Sequence, residues 1–432
     1  ENGMTEGRVH NPLYAWFGDT DKLNVQRTGG LNEFFNLNDP ENNGTFVTAQ
    51  DGAVIFNRGF CDNKELCSMN LIKANGYEFT IWAKSENGGT ISVVLCDDTG
   101  KEISNKVAIG VDNKEWGKFG SEEKIILTPT ESSMGQLKLE FNGSVSIDMV
   151  SLFPQKVWGA TNEDGSASAN KNYLGNPNYR LRKDLVQTLK DLKPSFLRFP
   201  GGCISEGSYI WDNVYDWKDS VGEIEIRKEN FNVWGYVMTM GLGYMEYFQL
   251  AEDLNAEPLP VMACGVLCQA RSDYANPAGG ALRDKYIKNF TDLIDFAIST
   301  DFENNEWAAL RRDMGHEAPF GLHYLGVGNE NWGSEFMANF EIFYKEITDY
   351  VKKNYPDHEL NILSTAGAQA DDIAYKKGWE FLAGYKKGNE TIAFSDGVTS
   401  KEEEITWYKN QSDYMETIVD EHYYRSNNYL LN

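Results

Sequence analysis

The chain is poor in the residues that most often announce chemistry. Its 432 residues include six cysteines, Cys61, Cys67, Cys96, Cys203, Cys264 and Cys268. That is too few to staple a protein of this size, which excludes a disulfide scaffold and makes six thiols the default reading. Cys264 and Cys268 have a metal-like spacing, but no second Cys or His pair accompanies them, and the histidines are scattered at His10, His316, His323, His358 and His422. No metal site and no cofactor are therefore expected. No apolar run approaches the roughly 18 residues of a membrane span. The opening Glu1-Asn2-Gly3 is not a basic-then-apolar leader, so any leader is expected to have been removed or left out. Basic residues are outnumbered, with 40 Lys and Arg against 65 Asp and Glu and a formal net charge of −25. That charge repels phosphate backbones and anionic membranes, so neither nucleic acid nor membrane is an expected partner. Phosphate loops and Ser-His-Asp order signals are missing, and Gly326-Val327-Gly328 has Asn331 where a dinucleotide fingerprint needs its third glycine. A neutral polar ligand and carboxylate chemistry remain.

What is present supports a sizeable core, with 41% hydrophobic and 13% aromatic residues over a length that suggests two or three domains. The first third reads as short strands between Gly, Asn and Asp turns: Tyr77 to Ala83, Thr90 to Cys96, Lys124 to Leu127 and Gln136 to Phe141. This pattern predicts a β-sandwich, to which the less regular stretch from Asn11 to Asn57 contributes the first strands. Trp82 and Trp116 are candidates for a sugar-stacking platform, with core packing as the competing reading. The polar run Ala160 to Ser168 reads as a linker or surface loop.

Beyond it the pattern changes to strand and helix in alternation. Leu181, Leu185, Leu189 and Leu192 recur at helical spacing before Pro194, and Phe196-Leu197-Arg198-Phe199 follows as a buried strand. A helix around Met245 to Leu254 leads to a strand at Pro258 to Ala263, and one around Tyr286 to Ile298 leads to a strand at His323 to Val327. Phe336, Phe340, Phe343 and Ile347 mark the next helix face, before strands at Asn361 to Ser364 and Thr417 to Asp420. Alternation of this kind builds parallel βαβ units, either a barrel or a doubly wound sheet. Polar and glycine-rich segments follow strand after strand, which favours a (β/α)8 TIM barrel.

Glu330 directly follows an apolar strand between Asn329 and Trp332, a setting in which partial burial can raise a carboxyl pKa and fit it to donate a proton. Locally, a Glu in a surface salt bridge reads the same way. Arg198 precedes Pro200-Gly201-Gly202 and suits a carboxylate clamp or a structural pairing with an acid. His422 and Tyr424 lie two apart after a strand and can point into one mouth, with a hydrogen-bonded core histidine as the alternative for His422.

Taken together, the ordered segments Arg198-Phe199-Pro200-Gly201-Gly202-Cys203, Tyr247-Phe248-Gln249-Leu250, Ala256-Glu257-Pro258-Leu259-Pro260, Asp313-Met314-Gly315-His316, Gly326-Val327-Gly328-Asn329-Glu330 and Asp420-Glu421-His422-Tyr423-Tyr424 resemble the clan A glycoside hydrolases. Specifically, they resemble the α-L-arabinofuranosidases of glycoside hydrolase family 51, over Leu181 to Arg425. The resemblance implies a retaining, exo-acting enzyme that releases terminal arabinofuranose from hemicellulose or pectin side chains, with Glu330 as general acid/base and a second Glu as nucleophile. It also implies that Arg198, Cys203, Asn329, Trp332, His422 and Tyr424 serve the sugar or the nucleophile, although Cys203 stands where many members carry Asn.

In that family the acid/base follows barrel strand four, the His-x-Tyr strand six and the nucleophile strand seven. The resemblance therefore implies strands two to six only: a β-sandwich like a carbohydrate-binding module at 12–157, a linker at 158–171 and an incomplete barrel at 172–432. The nucleophile is expected beyond Asn432 and the first barrel strand before residue 1. Such a piece is expected to be inactive alone. An arabinose-containing oligo- or polysaccharide is the expected partner, secretion or periplasmic export is compatible with the sequence, and a homo-oligomer of the longer enzyme stays open. The competing readings are a non-catalytic carbohydrate-binding protein and another clan A glycosidase, such as a β-xylosidase or an endoglucanase.

Overall fold

The computed structural model describes residues 13–31, 44–59 and 67–369, apart from 163, 209, 232–236, 273, 277 and 278, together with 374–375, 377–379, 382 and 418–428. The chain divides into two compact units, one of Glu1–Thr188 with Gly222–Gly241 and one of Leu189–Val221 with Leu242–Asn432.

The first unit contains two antiparallel six-stranded sheets. Alternation explains how they share one core. In Tyr77–Lys84 every second residue is buried, so Tyr77, Phe79, Ile81 and Ala83 point inward, and Leu137, Leu139 and Phe141 do the same from Ser133–Asn142 in the facing sheet. Leu139 pairs with Val93 on one side and Ile55 on the other, both in the same apolar cluster. The strands expected from the sequence all form, Gly89–Asp97 and Ile125–Leu127 included. Trp82 lies on the half-exposed face of its strand, outside the core cluster, and its indole N–H has no acceptor among the described residues. Trp116 packs edge-on against Phe46 under the ammonium of Lys84 and donates to the Gly29 carbonyl.

The second unit holds one parallel sheet of five strands in chain order: Phe196–Pro200, Glu257–Met262, Tyr324–Val327, Asn361–Thr365 and Ile418–Asp420. Each matches an expected strand. Pro258 to Met262 are buried without interruption, as in a parallel strand covered on both faces. The intervening helices Tyr244–Leu254, Ala281–Ile298 and Gly333–Asn354 supply that cover through Phe248, Phe290, Phe336, Phe340 and Phe343, all in one apolar cluster. Helix Glu306–Asp313 has no counterpart in the sequence reading. Its start is fixed by Asn305, whose side chain accepts from the backbone N–H groups of Trp307 and Ala308.

Helix Lys183–Leu192 also forms as expected, but its apolar stripe is not buried: Leu185 is 53% exposed and Leu192 72%, and Phe196 on the neighbouring strand is 56% exposed. Among the described residues nothing covers that stripe. Among the described residues no helix is long and apolar enough to cross a membrane.

The packing of the sandwich is tested by contrast. Leu139→Ala removes a fully buried side chain and is expected to destabilise this unit by about 2–5 kcal/mol. Ile72→Ala, at a side chain 46% exposed, should stay within about 0.5 kcal/mol. Urea unfolding of both variants measures the difference, and equal losses would contradict the assigned core.

Candidate active site

The segments that carry the polar residues follow the carboxyl ends of parallel strands: Gly201–Glu206 after the first, Cys264–Gln269 after the second, Gly328–Trp332 after the third, and Glu421–Tyr424 after the fifth. Arg198 organises the rim they form. Its Nε and Nη2 both donate to Asp420 Oδ2, at 3.0 and 2.7 Å, and Nη2 also donates to Asn329 Oδ1 at 2.8 Å. The backbone of Gly202 donates to the same Asn329 oxygen at 3.0 Å. Gly201 lets this happen: at φ +64 it runs so close to the guanidinium that a Cβ would fall 1.9 Å from Arg198 Nη1.

Arg198 and Asp420 stand on the two outermost strands of the sheet. Strands lie about 4.8 Å apart, so four steps across a flat sheet would separate them by ~19 Å, beyond an arginine's reach. Their contact requires the sheet to curl into an arc with its side chains converging inside.

Glu330 sits on that inner rim in a left-handed backbone conformation, φ +52, directly after the strand carrying Gly326 and Val327. A non-glycine residue held there costs roughly 1–3 kcal/mol and persists where its surroundings over-determine it. They do so here. Glu330 Oε1 accepts from His422 Nδ1 at 2.6 Å and from the Tyr424 hydroxyl at 2.8 Å. The other imidazole nitrogen, Nε2, faces Asp420 Oδ2 at 3.4 Å. A ring with a carboxylate at each nitrogen is a cation with two donors. Asp420 and Glu330 accordingly raise the His422 pKa to about 9, against the downward pull of burial.

The same contacts overturn the expected direction for Glu330. Burial does push its carboxyl up, but the hydrogen bonds from His422 and Tyr424 and the charges of His422 and Arg198 outweigh it, holding Glu330 below the ordinary carboxylate value. Burial likewise raises Asp420, and His422 and Arg198 bring it below its ordinary value. Tyr424, 67% exposed, is pushed up to about 12 chiefly by its bond to Glu330.

A second layer lies under this network. Asn329, fully buried, donates its amide to Glu206 Oε2 at 3.3 Å. Glu206 is 1% exposed, and burial pushes its carboxyl well above the usual range. Cys203 Sγ lies 3.4 Å from Cys268 Sγ. The Cys268 thiol stabilises a Cys203 thiolate and draws Cys203 down to about 7. Gln269 clasps the backbone of Trp332, accepting from its N–H at 2.9 Å and donating to its carbonyl at 2.8 Å.

The structure thus joins Arg198, Asn329, Glu330, His422 and Tyr424 in one network, with Cys203 and Trp332 held by neighbours of their own. Sequence reasoning missed Asp420, Glu206, Cys268 and Gln269. Two of these carried a readable signal: Asp420 stands two residues before His422, and Glu206 one helical turn after Cys203. The spacing of Cys264 and Cys268 does not bring them to one cluster, because Cys264 is wholly buried apart from it while Cys203, Glu206 and Cys268 converge. The reading of six thiols also needs correction, since Cys67 is disulfide-bonded whereas Cys96, Cys203, Cys264 and Cys268 are free.

Comparison with known proteins gives this geometry a context. Residues 188–432 match the family described as the alpha-L-arabinofuranosidase 1 domain. Over 443 residues the chain is 29% identical to an extracellular exo-alpha-L-arabinofuranosidase of Streptomyces chartreusis, covering 100% of this chain and 45% of that protein. It is 30% identical over 331 residues to alpha-L-arabinofuranosidase 2 of Arabidopsis thaliana, covering 74% of this chain and 43% of that protein. The chain therefore spans about half the length of these curated relatives. Among solved structures, an arabinose-bound family 51 α-L-arabinofuranosidase superposes with a TM-score of 0.64 at 24% identity, over 82% of this chain and 53% of that one, and so shares its fold. The profile match through the whole rim, in a chain whose relatives bear the same name, establishes that this chain belongs to the glycoside hydrolase family 51 α-L-arabinofuranosidases.

Proposed function

We propose that the five-stranded arc is part of a (β/α)8 barrel and that it supplies the general acid/base side of a retaining, exo-acting α-L-arabinofuranosidase. Its substrate is terminal arabinofuranose on hemicellulose or pectin side chains. The single observation that carries this reading is Glu330, strained at the end of the central strand and gripped by His422 and Tyr424 from across the arc. The two antiparallel sheets, at about 12–157, form an inserted module like a carbohydrate-binding domain, joined through 158–171 to the barrel region at 172–432. Extracellular or periplasmic location is supported by the disulfide at Cys67 and by the name of the Streptomyces relative.

In this mechanism Glu330 protonates the departing glycosidic oxygen and later deprotonates water. The resting pair keeps the proton on His422, 2.6 Å from Glu330 Oε1. A nucleophilic carboxylate about 5 to 5.5 Å away would push Glu330 up by like-charge repulsion and shift that proton toward it. The other carboxylates of the described rim are engaged: Asp420 by Arg198 and His422, Glu421 by the donors Trp379 and Tyr423, Glu206 by its burial behind Asn329. None of the three is free to attack a sugar. Arg198, Cys203, Asn329, Trp332, His422 and Tyr424 hold the sugar or the acid/base, Arg198 by fixing Asn329 rather than by direct contact.

Three outcomes are expected. These 432 residues alone should release no nitrophenol from a nitrophenyl arabinofuranoside, and robust turnover would show that the nucleophile lies within them. In a protein carrying the completed barrel, Glu330→Gln should lower kcat/KM by about 10²–10⁴-fold on poor leaving groups. Activated leaving groups and added azide should recover part of it, and an unaffected rate would refute the acid/base role. Finally, His422 should titrate near pH 9 by NMR, and Glu330→Gln should lower that value while Asp420 keeps it above 6.5. The raised His422 pKa makes the imidazolium's contribution complete below pH 6.5 and lost as pH climbs through about 9. The lowered Glu330 pKa makes the carboxylate's contribution present above 4.5 and lost as pH falls below it.

A further inference from the structure

Cys203, Glu206 and Cys268 place one ligand atom each within 4.8 Å of one another. Local structure explains the convergence. Cys203 and Glu206 are three apart on the single-turn helix Gly202–Glu206 and share a face. Cys268 arrives from the loop after the second strand and is pinned by its own N–H, which donates to the Gly207 carbonyl at 2.9 Å. Asn329, itself fixed by Arg198 and Gly202, orients the Glu206 carboxyl from behind.

Glu206 is 1% and Cys268 3% exposed, and among the described residues no Lys, Arg or His forms an ion pair with Glu206. The buried carboxyl between two sulfurs has no cationic partner, and a bound cation would supply that countercharge. The donor set itself says which countercharge fits. Two thiolates and a carboxylate select a borderline-soft divalent cation over magnesium or calcium. Metal–sulfur bonds of about 2.3 Å at a tetrahedral angle set two sulfurs roughly 3.8 Å apart, and here they stand 3.4 Å apart, so a few tenths of an ångström of side-chain rotation brings the two sulfurs to that separation, with the Glu206 carboxylate within 4.8 Å of both.

We propose that Cys203, Glu206 and Cys268 form a binding site for a thiophilic divalent cation of the zinc class. The fourth coordination position opens on the side of half-exposed Cys203. Binding forms two metal–sulfur bonds and one metal–oxygen bond and releases to solvent the protons held by the two thiols and by the Glu206 carboxyl, with no change of oxidation state. The site does not depend on the enzymatic reading, and its test reads metal rather than turnover, so failure of either leaves the other standing.

The test is titration of the protein with Co²⁺ under a non-thiol reductant in the absence of oxygen. One equivalent should produce a thiolate-to-cobalt charge-transfer band in the near ultraviolet and the visible bands of a tetrahedral ion, and Zn²⁺ should bleach both. Cys203→Ser and Cys268→Ser should each abolish the charge-transfer intensity expected for two sulfurs. Glu206→Gln should keep a band but weaken affinity by at least tenfold, and Cys96→Ser should change nothing. Circular dichroism of each variant separates lost ligation from lost folding, and Cys203→Ser, at the half-exposed position, is the variant least exposed to that confusion. Absence of the band in the reduced wild-type protein, or a band that survives both Cys203→Ser and Cys268→Ser, would overturn the proposal.

Discussion

The ion pair between Arg198 and Asp420 is the constraint on which the rim depends. It joins the two outer strands of a five-stranded sheet, fixing a curvature that hydrogen bonding between neighbouring strands alone does not specify. Both partners are largely buried, and such a pair contributes through geometry more than through net stability, because desolvation offsets much of its attraction. Its value lies in what else each partner holds. Arg198 fixes the amide of Asn329, Asp420 polarises His422, and both lines of contact end at the segment carrying Glu330. Arg198 on the first strand and, through His422, Asp420 on the fifth thus meet Asn329 and Glu330 in the segment that follows the third.

Much of this fold is legible along the chain because its causes are local. The period of two in Tyr77–Lys84 and the apolar run in Glu257–Met262 each report directly on which faces are covered. The exposed stripe of Lys183–Leu192 shows the limit: Leu185, Leu189 and Leu192 announce a helix, yet spacing cannot say whether a surface lies against it. Within the site, Glu330, His422 and Tyr424 were readable because each follows a strand in a polar segment. Cys268 and Gln269 were not, since Cys268 meets Cys203 across 65 residues and Gln269 meets Trp332 across 63.

The direction of the Glu330 pKa shows the same division sharply. Burial is a local property, and the neighbours of Glu330 in sequence suggested it correctly. The opposing contribution comes chiefly from His422, 92 residues away, and His422 is held charged by Asp420 at its second nitrogen together with Glu330 itself. A titration that depends on a chain of three groups cannot be read from the surroundings of one. The family relationship supplied the names of these residues, and the coordinates supply their wiring.

The charge of the rim also bears on its ligand. The chain as a whole carries −25, yet the four groups that define the network, Arg198, His422, Glu330 and Asp420, sum to zero: two cations and two anions. Each charge is neutralised by a partner within the network rather than left to attract an ion from solution. Accessibility falls steeply from Tyr424, 67% exposed, to Asn329 and Glu206 at 1% or less, so a ligand entering the mouth meets hydroxyl, imidazolium and carboxylate groups already oriented. A charged ligand would unbalance this arrangement, whereas a small molecule rich in hydroxyls can donate to and accept from it without altering its sum. Charge cancellation of this kind suits a neutral polar ligand, which is consistent with the sugar substrate proposed above.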